Sequence, residues 1–434
     1  MSGLAKVLHA RGWEVTGSDI ARSRRAAELA DLGIRVSFGH REENLDGAEL
    51  VVFSSAIPRE NVELVAARRR GLPVLPRMEM LKRLLKEREA LGVAGTNGKS
   101  TTTAMLAFLL DRAGLAPSFI IGAACPSLGG NARWSEGRHL VAEIDESDGY
   151  FTELELDLAV ITNIGIDHLN NYGSPEAVYR AFRAFARRSK RLILNSDDGP
   201  SRRLRGELGR EVLTFGLERP ADLMAKELEQ QGFTTHFRLV FRGEELNEVL
   251  LPAPGRHNVA NALAAMLAGW AVGLELEKMA QAIRDFTLPE RRFQVLHNDQ
   301  VVIIDDYAHL PEEIEANLLA IREGWRPKRV IALFQPHRFS RVRDIDFAHS
   351  FGLVDRVIVT EIYPAGESPI PGVDATRLVR ALRQEGKRVD YIPDKEEIIA
   401  LLRDELRPGD FLISFGAGDL WEVSHRLASS LEKR

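Results

Sequence analysis

Cysteine is nearly absent: Cys125 is the single one in 434 residues. An intrachain disulfide is therefore excluded, and such usage fits a reducing cytosol. Long apolar runs are missing too, and the N-terminus lacks the apolar core of a secretory signal. Excess positive charge is the third absence. Lys and Arg number 58 against 63 Asp and Glu, a net charge of −5, which leaves no electrostatic footprint for nucleic acid. The run Arg68-Arg69-Arg70 reads as one solvated helix end. No internal repeat or low-complexity segment stands out. What remains is a globular chain expected to be cytoplasmic, with no nucleic-acid partner and no membrane insertion, and long enough for about three domains.

What is present centres on Leu91-Gly92-Val93-Ala94-Gly95-Thr96-Asn97-Gly98-Lys99-Ser100. An apolar run stops at a glycine-bounded turn, and a helical pattern follows from Ser100, with Met105, Leu106, Leu109 and Leu110 at helix spacing. Strand, glycine loop, lysine, hydroxyl and helix together make a wrap for a nucleotide's phosphates. Glycines let backbone N–H groups approach, and the helix start offers orphan donors to an anion. Lys99 is expected to reach the outer phosphates from an exposed loop, and Ser100 to hold Mg²⁺. The strict G-x-x-x-x-G-K-[ST] spacing fails at Val93; a tighter G-T-N-G-K-S form stands in its place.

Before this loop, residues 1–88 read as a small α/β unit. A helix from Gly3 to Arg11 leads to a strand Glu14-Val15-Thr16, and a second strand spans Glu49 to Phe53. Ser18, Asp19, Ser54 and Ser55 follow those strands, where open α/β sheets bind ligands, and helix capping accounts for them equally well. Residues 89–288 repeat the alternation. The runs His139–Ala142 and Leu158–Ile161 end in polar clusters holding Glu143 and Asp167-His168, and in a parallel sheet these strand ends gather beside the phosphate loop. Glu143 and His168 are therefore candidates for a Mg²⁺ sphere. Pro254 through Asn261 opens an apolar helix on which Asn258 and Asn261 share a face; an amide there could read an adenine edge or cap the helix. From residue 289 to 434 the strands Val301–Asp305, Arg329–Phe334, Arg356–Thr360 and Phe411–Ser414 mark a second doubly wound sheet. Arg338 and Arg341, three apart on a helix start, suit a carboxylate or phosphate, with a surface ion pair to Asp344 or Asp346 as the alternative.

With these residues in view the chain resembles the Mur ligase family, and within it the alanine-adding branch. The blocks that carry the likeness are Gly95 through Ser100, Glu143 through Gly149, Asp167-His168, Pro254 through Asn261, Asp305 through His309, Gln335 through Arg341, and Ala365 through Ile370. The resemblance implies an α/β protein of three domains: an N-terminal Rossmann-like UDP-sugar domain, a central P-loop-type ATPase domain with a mostly parallel sheet, and a C-terminal Rossmann-like domain for the amino acid. It implies ATP and Mg²⁺, with UDP-N-acetylmuramate and L-alanine as substrates, and a monomer or weak homodimer. By position, Gly95, Thr96, Asn97, Gly98, Lys99, Ser100 and Thr101 would wrap the nucleotide, with Asn258 and Asn261 by adenine and Arg292 at the hinge. Ser100, Glu143 and His168 would bind the metal. Tyr307, His309, Arg338 and Arg341 would meet the UDP-sugar near its reacting end, and Ser18, Asp19, Ser54 and Ser55 its uridine side; His309 would orient or deprotonate the amine.

One absence points to that branch: later ligases of the pathway use a carbamoylated lysine on the helix after the metal-binding histidine, whereas here that helix offers Arg180 and Arg183, with no lysine before Lys190, and Glu143 would supply the anionic charge. Other features depart from the pattern. Asn97 and Ser100 stand where the branch has histidine and threonine, and Leu310 where it has a second histidine. Met1-Ser2-Gly3 resembles the tail of a glycine-rich turn, so a start-truncated chain that binds the UDP-sugar poorly is expected. Two other readings stay open: a related ligase attaching another amino acid or a preformed peptide, and a non-catalytic nucleotide-binding paralogue.

Overall fold

Strand Glu89–Ala94, the run that feeds the glycine loop, sits inside the largest sheet of the protein. A computed structural model describes residues 1–431, apart from the side chain of Asn170, so residues 432–434 of the expected third segment lie outside the described residues. Chain contacts divide it into two units. The first comprises residues 1–224 with 239–246 and 260–282; the second comprises 225–238, 247–259 and the chain from residue 283 onward.

In the first unit Glu89–Ala94 is flanked in parallel by His139–Glu143 and Leu158–Ile161. Ser118–Cys125 extends one side in parallel, and Arg191–Asn195 and Leu213–Gly216 extend the other. Strands buried on both faces must be apolar throughout, which is why Leu158-Ala159-Val160-Ile161 shows no alternation. Gly130–Arg133 closes one edge antiparallel, and at the other edge Phe215 and Gly216 pair in parallel with Leu223 and Met224.

The N-terminal segment holds two parallel pairs, Thr16–Asp19 with Arg35–Phe38 and Val51–Phe53 with Val74–Pro76. Its helices Ser2–Ala10 and Arg77–Leu85 bury Leu4, Val7, Leu81 and Leu84 in one core with Ala90, Leu140 and Ile161. The expected strand Glu14–Thr16 is displaced: pairing with Arg35–Phe38 takes up Thr16 to Asp19, so Ser18 and Asp19 lie within the strand and not beyond it. Register with a partner strand decides this, against the weak strand preference of Gly17.

The second unit carries a six-stranded sheet in the order Gln294–Asn298, Val302–Asp306, Asp410–Phe415, Arg329–Phe334, Arg356–Val359, Val389–Tyr391. All neighbours are parallel except the first pair. The strands ending at Asp306 and Phe334 thus deliver their polar clusters to one edge of the sheet. No helix among the described residues is long and apolar enough to cross a membrane.

Candidate active site

The loop after Glu89–Ala94 is shaped by two glycines. Gly95 has φ +139°, and a Cβ there would lie 2.0 Å from Thr162 Oγ1; Gly98 has φ +82°, and its Cβ would lie 2.3 Å from Asn261 Oδ1. Only glycine meets both the backbone and the space. The next strand end grips the loop from below. Asn163 Oδ1 accepts from Asn97 N at 3.0 Å while its Nδ2 donates to Asn97 O at 3.0 Å, and Thr162 Oγ1 donates to the same carbonyl at 2.6 Å. The helix Lys99–Arg112 starts at Gly98 with no side chain capping it. The amides of its first turn are the orphan donors of a helix start, which suit an anion.

Lys99 is not an exposed loop lysine, contrary to the expectation from sequence. Its side chain is 18 % exposed and pairs with Glu146 at 2.9 Å. Burial opposes its charge, but Glu146, helped by Glu143 and Asp145, more than offsets this and raises its pKa. Burial pushes the Glu146 carboxyl up to about 7, with Asp145 adding to the rise and Lys99 restraining it. Asp145 goes the other way: burial would raise it, yet Arg77 and the Ser147 amide hold it below the usual carboxylate range.

Glu143 Oε2 accepts from Gly122 N at 2.7 Å. His168 stands at φ +56° with its Nε2 3.3 Å from Asp167 Oδ2 and 3.9 Å from Glu146 Oε1. Ser100 is buried in the first turn of the loop helix. Among the described residues no group of three His, Cys, Asp or Glu side chains forms a metal cage. The Ser100 hydroxyl and the Glu143 carboxylate are oxygen donors of the kind Mg²⁺ takes alongside water and phosphate oxygens, and the His168 imidazole suits it less. Asn261 Oδ1 accepts from Thr102 Oγ1 at 3.2 Å, so it lies against the loop helix. Asn258 Nδ2 donates to Pro254 O at 2.8 Å, the helix-start role. Toward the N-terminus, Ser18 Oγ donates to Glu63 at 2.7 Å beside His40, and Asp19 and Ser54 accept from backbone amides two residues on. Ser55 is exposed in the turn that follows.

In the second unit a row of rings runs Tyr307, His309, His337, Tyr363, with successive centroids 5.3, 5.4 and 5.8 Å apart. Arg341 Nη1 lies 2.7 Å from His337 Nδ1. Guanidinium only donates, so His337 accepts on Nδ1 and carries its proton on Nε2. Arg338, at φ +71°, has Nη1 3.7 Å from Glu367 Oε1, and its buried Nε has no partner among the described residues. Arg343 takes Asp344, and Asp346 accepts from Ala348 N. Arg292 lies over the Tyr307 ring at 5.1 Å and 3.9 Å from Glu313, which also accepts from His309 N. Sequence reasoning missed Glu146, Thr162, Asn163, Tyr172, Glu313 and Glu367. Three of them left a signal: Glu146 lies three residues after Glu143 in the same acidic run, Asn163 opens the polar cluster that holds His168, and Glu367 lies in the block Ala365 through Ile370.

A glycine loop at a parallel strand end, opening an uncapped helix with a lysine at its start, defines a nucleotide-phosphate-binding α/β protein. Comparison with known proteins is specific beyond that class. The models for the Mur ligase family catalytic domain, the Mur ligase middle domain and the Mur ligase glutamate ligase domain match residues 1–89, 93–269 and 291–418. The UDP-N-acetylmuramate–L-alanine ligase of Syntrophotalea carbinolica is 40 % identical over 100 % of this chain and 96 % of its own. The crystal structure of UDP-N-acetylmuramate-alanine ligase MurC from Thermotoga maritima matches with TM-score 0.87 and 30 % identity, over 100 % of this chain and 96 % of that one. A murein peptide ligase from Psychrobacter arcticus shares the fold, with TM-score 0.72 and 22 % identity over 100 % and 97 %. The chain belongs to the Mur ligase family.

Proposed function

We propose that this chain joins L-alanine to the carboxylate of UDP-N-acetylmuramate at the expense of ATP, as a cytoplasmic step of peptidoglycan synthesis. The observation that carries the reading is the glycine loop, with Lys99 and Ser100 opening the helix, Glu143 ending one neighbouring strand and His168 at the helix start that follows the other. Relatives along the full length supply the substrate pair. In this reading residues 1–88 hold the UDP-sugar, 89–288 the nucleotide, and 289–434 the amino acid.

The substrate carboxylate oxygen attacks the γ-phosphorus and ADP leaves, giving an acyl phosphate. The alanine amine then attacks the acyl carbon; phosphate leaves and the amine loses a proton. The protein contributes position and charge to these steps. Lys99 and the first amides of its helix take the phosphate oxygens. Ser100, Glu143 and His168 would hold Mg²⁺, which when bound neutralises phosphate charge. Arg338 and Arg341 orient the anionic groups of the UDP-sugar, Tyr307 and His309 flank its reacting end, and Asn258 and Asn261 stand on the adenine side. The test is phosphate release measured with each substrate withheld in turn. Release should require ATP, UDP-N-acetylmuramate and L-alanine together; release driven by a preformed peptide and not by alanine, or by ATP alone, would overturn the reading.

A further inference from the structure

A lysine ammonium has three N–H donors, and Lys99 spends all three inside the chain. Its Nζ donates to Gly95 O at 2.5 Å, to Thr96 O at 3.0 Å and to Glu146 Oε1 at 2.9 Å. The Glu146 side chain is 4 % exposed, and its Oε2 has no hydrogen-bond partner among the described residues. The other carboxylates nearby are engaged elsewhere, Glu143 by Gly122 N and Asp145 by Arg77 and Ser147 N. The backbone behind Glu146 is fixed as well. The Tyr172 hydroxyl donates to Glu146 O, and Asn171 Nδ2 donates to Ser147 O at 2.7 Å. Both residues belong to the short helix Leu169–Tyr172 that follows His168.

We propose that Glu146 is a resident substitute for the nucleotide's phosphate: it holds Lys99 in the loop when no nucleotide is bound and gives up the ammonium when one arrives. This rests on the nucleotide reading of the loop given above. The two loop carbonyls hold Lys99 at the phosphate wrap, and the carboxylate is the one anionic acceptor among its three partners. An incoming phosphate oxygen competes with that carboxylate for the same N–H, exchanging one anion for another. Binding therefore carries the cost of leaving Glu146 buried without its cation, and affinity sits below what the loop alone would reach.

Glu146 is thus a positioning residue acting through Lys99, and two measurements on the full chain test it. Calorimetric titration with ADP should show Glu146→Gln binding at least about fivefold more tightly than wild type, because the neutral amide competes weakly for the ammonium. Labelling of Lys99 by an amine-reactive reagent without nucleotide, read by mass spectrometry, should be faster in the same variant. ADP affinity that is unchanged or weaker in Glu146→Gln overturns the proposal, whatever the labelling shows. Should that variant fail to fold, Tyr172→Phe replaces it: releasing the Glu146 carbonyl should tighten ADP about twofold, and no change overturns the proposal. A Lys99→Ala chain separates the two levels of inference. If it binds ADP as wild type does, the nucleotide reading of the loop fails. If it loses affinity while Glu146→Gln gains none, only the role of Glu146 fails.

Discussion

Lys99 shows how far a residue's surroundings can change its energetics. Read from sequence, it is a loop lysine whose removal should leave stability untouched. In the fold it neutralises a buried carboxylate at 2.9 Å. Lys99→Ala should therefore do two things: abolish ligase turnover and lower stability by about 1–3 kcal/mol, since Glu146 then stays buried as a protonated carboxyl without its hydrogen-bond partner. Thermal denaturation separates the effects. The double variant Lys99→Ala, Glu146→Gln should recover most of the lost stability without recovering turnover. A single variant as stable as wild type would show that the pair is not buried as described. The other site residues differ in how legible they are. Ser100, Glu143 and His168 follow from loop and strand-end positions. Glu146 and Tyr172 do not, because only chain folding brings residue 172 against the carbonyl of residue 146.

At the scale of elements, the buried parallel strands were legible because their apolar runs are unbroken, as in Leu158–Ile161 and Arg329–Phe334, whose bounds match the expected ones. Short edge strands such as Arg35–Phe38 and Val389–Tyr391 were not, since four or three residues carry too little pattern. The loop helix is a different case. Met105, Leu106, Leu109 and Leu110 mark its period, whereas three successive threonines argue against helix on propensity alone. Burial of residues 100–110 overrides the threonines. Its start depends on Gly98 at φ +82° with Asn261 Oδ1 against it. Gly98→Ala should cost about 1–2 kcal/mol from the left-handed backbone alone, with the clash added, and should weaken ADP binding by displacing the loop. Equal ADP affinity in calorimetry would show that the loop does not need this conformation.

At the scale of the whole molecule, buried titratable groups set the response to acid. Burial drives the His257 imidazole down to about 4, with Glu313 opposing and Arg292 reinforcing. Its folded value lies below the unfolded one of about 6.5. The unfolded chain therefore binds the extra proton first, and this group's contribution destabilises the fold progressively as pH falls from about 6.5 towards 4. Asp306 acts with the opposite sign. Burial lifts it to about 6, against Arg292 and the amides of Phe293 and Ala308, so the folded chain takes its proton first and gains stability as pH falls from about 6 towards 4. Because the two oppose each other, a melting curve alone does not resolve them. The ring signals of His257 followed by NMR should stay in the neutral form from pH 8 to about 5. A midpoint near the ordinary histidine value would show that the ring is solvated.

The sequence by itself determined the class of chemistry. A glycine loop followed by lysine and hydroxyl, with acidic and histidine clusters at strand ends, points to phosphate binding because those residue types and spacings are local and self-contained. It also determined the α/β alternation, since apolar runs of strand length are a one-dimensional signal. Tertiary structure decided what a one-dimensional signal cannot hold: that Thr16–Asp19 pairs with Arg35–Phe38, that Asn163 grips Asn97, that Arg341 meets His337, and that Glu146 occupies Lys99. Each is a contact between chain positions whose approach is set by register or packing, and the energy of a buried charge or hydrogen bond exists only once its surroundings are in place.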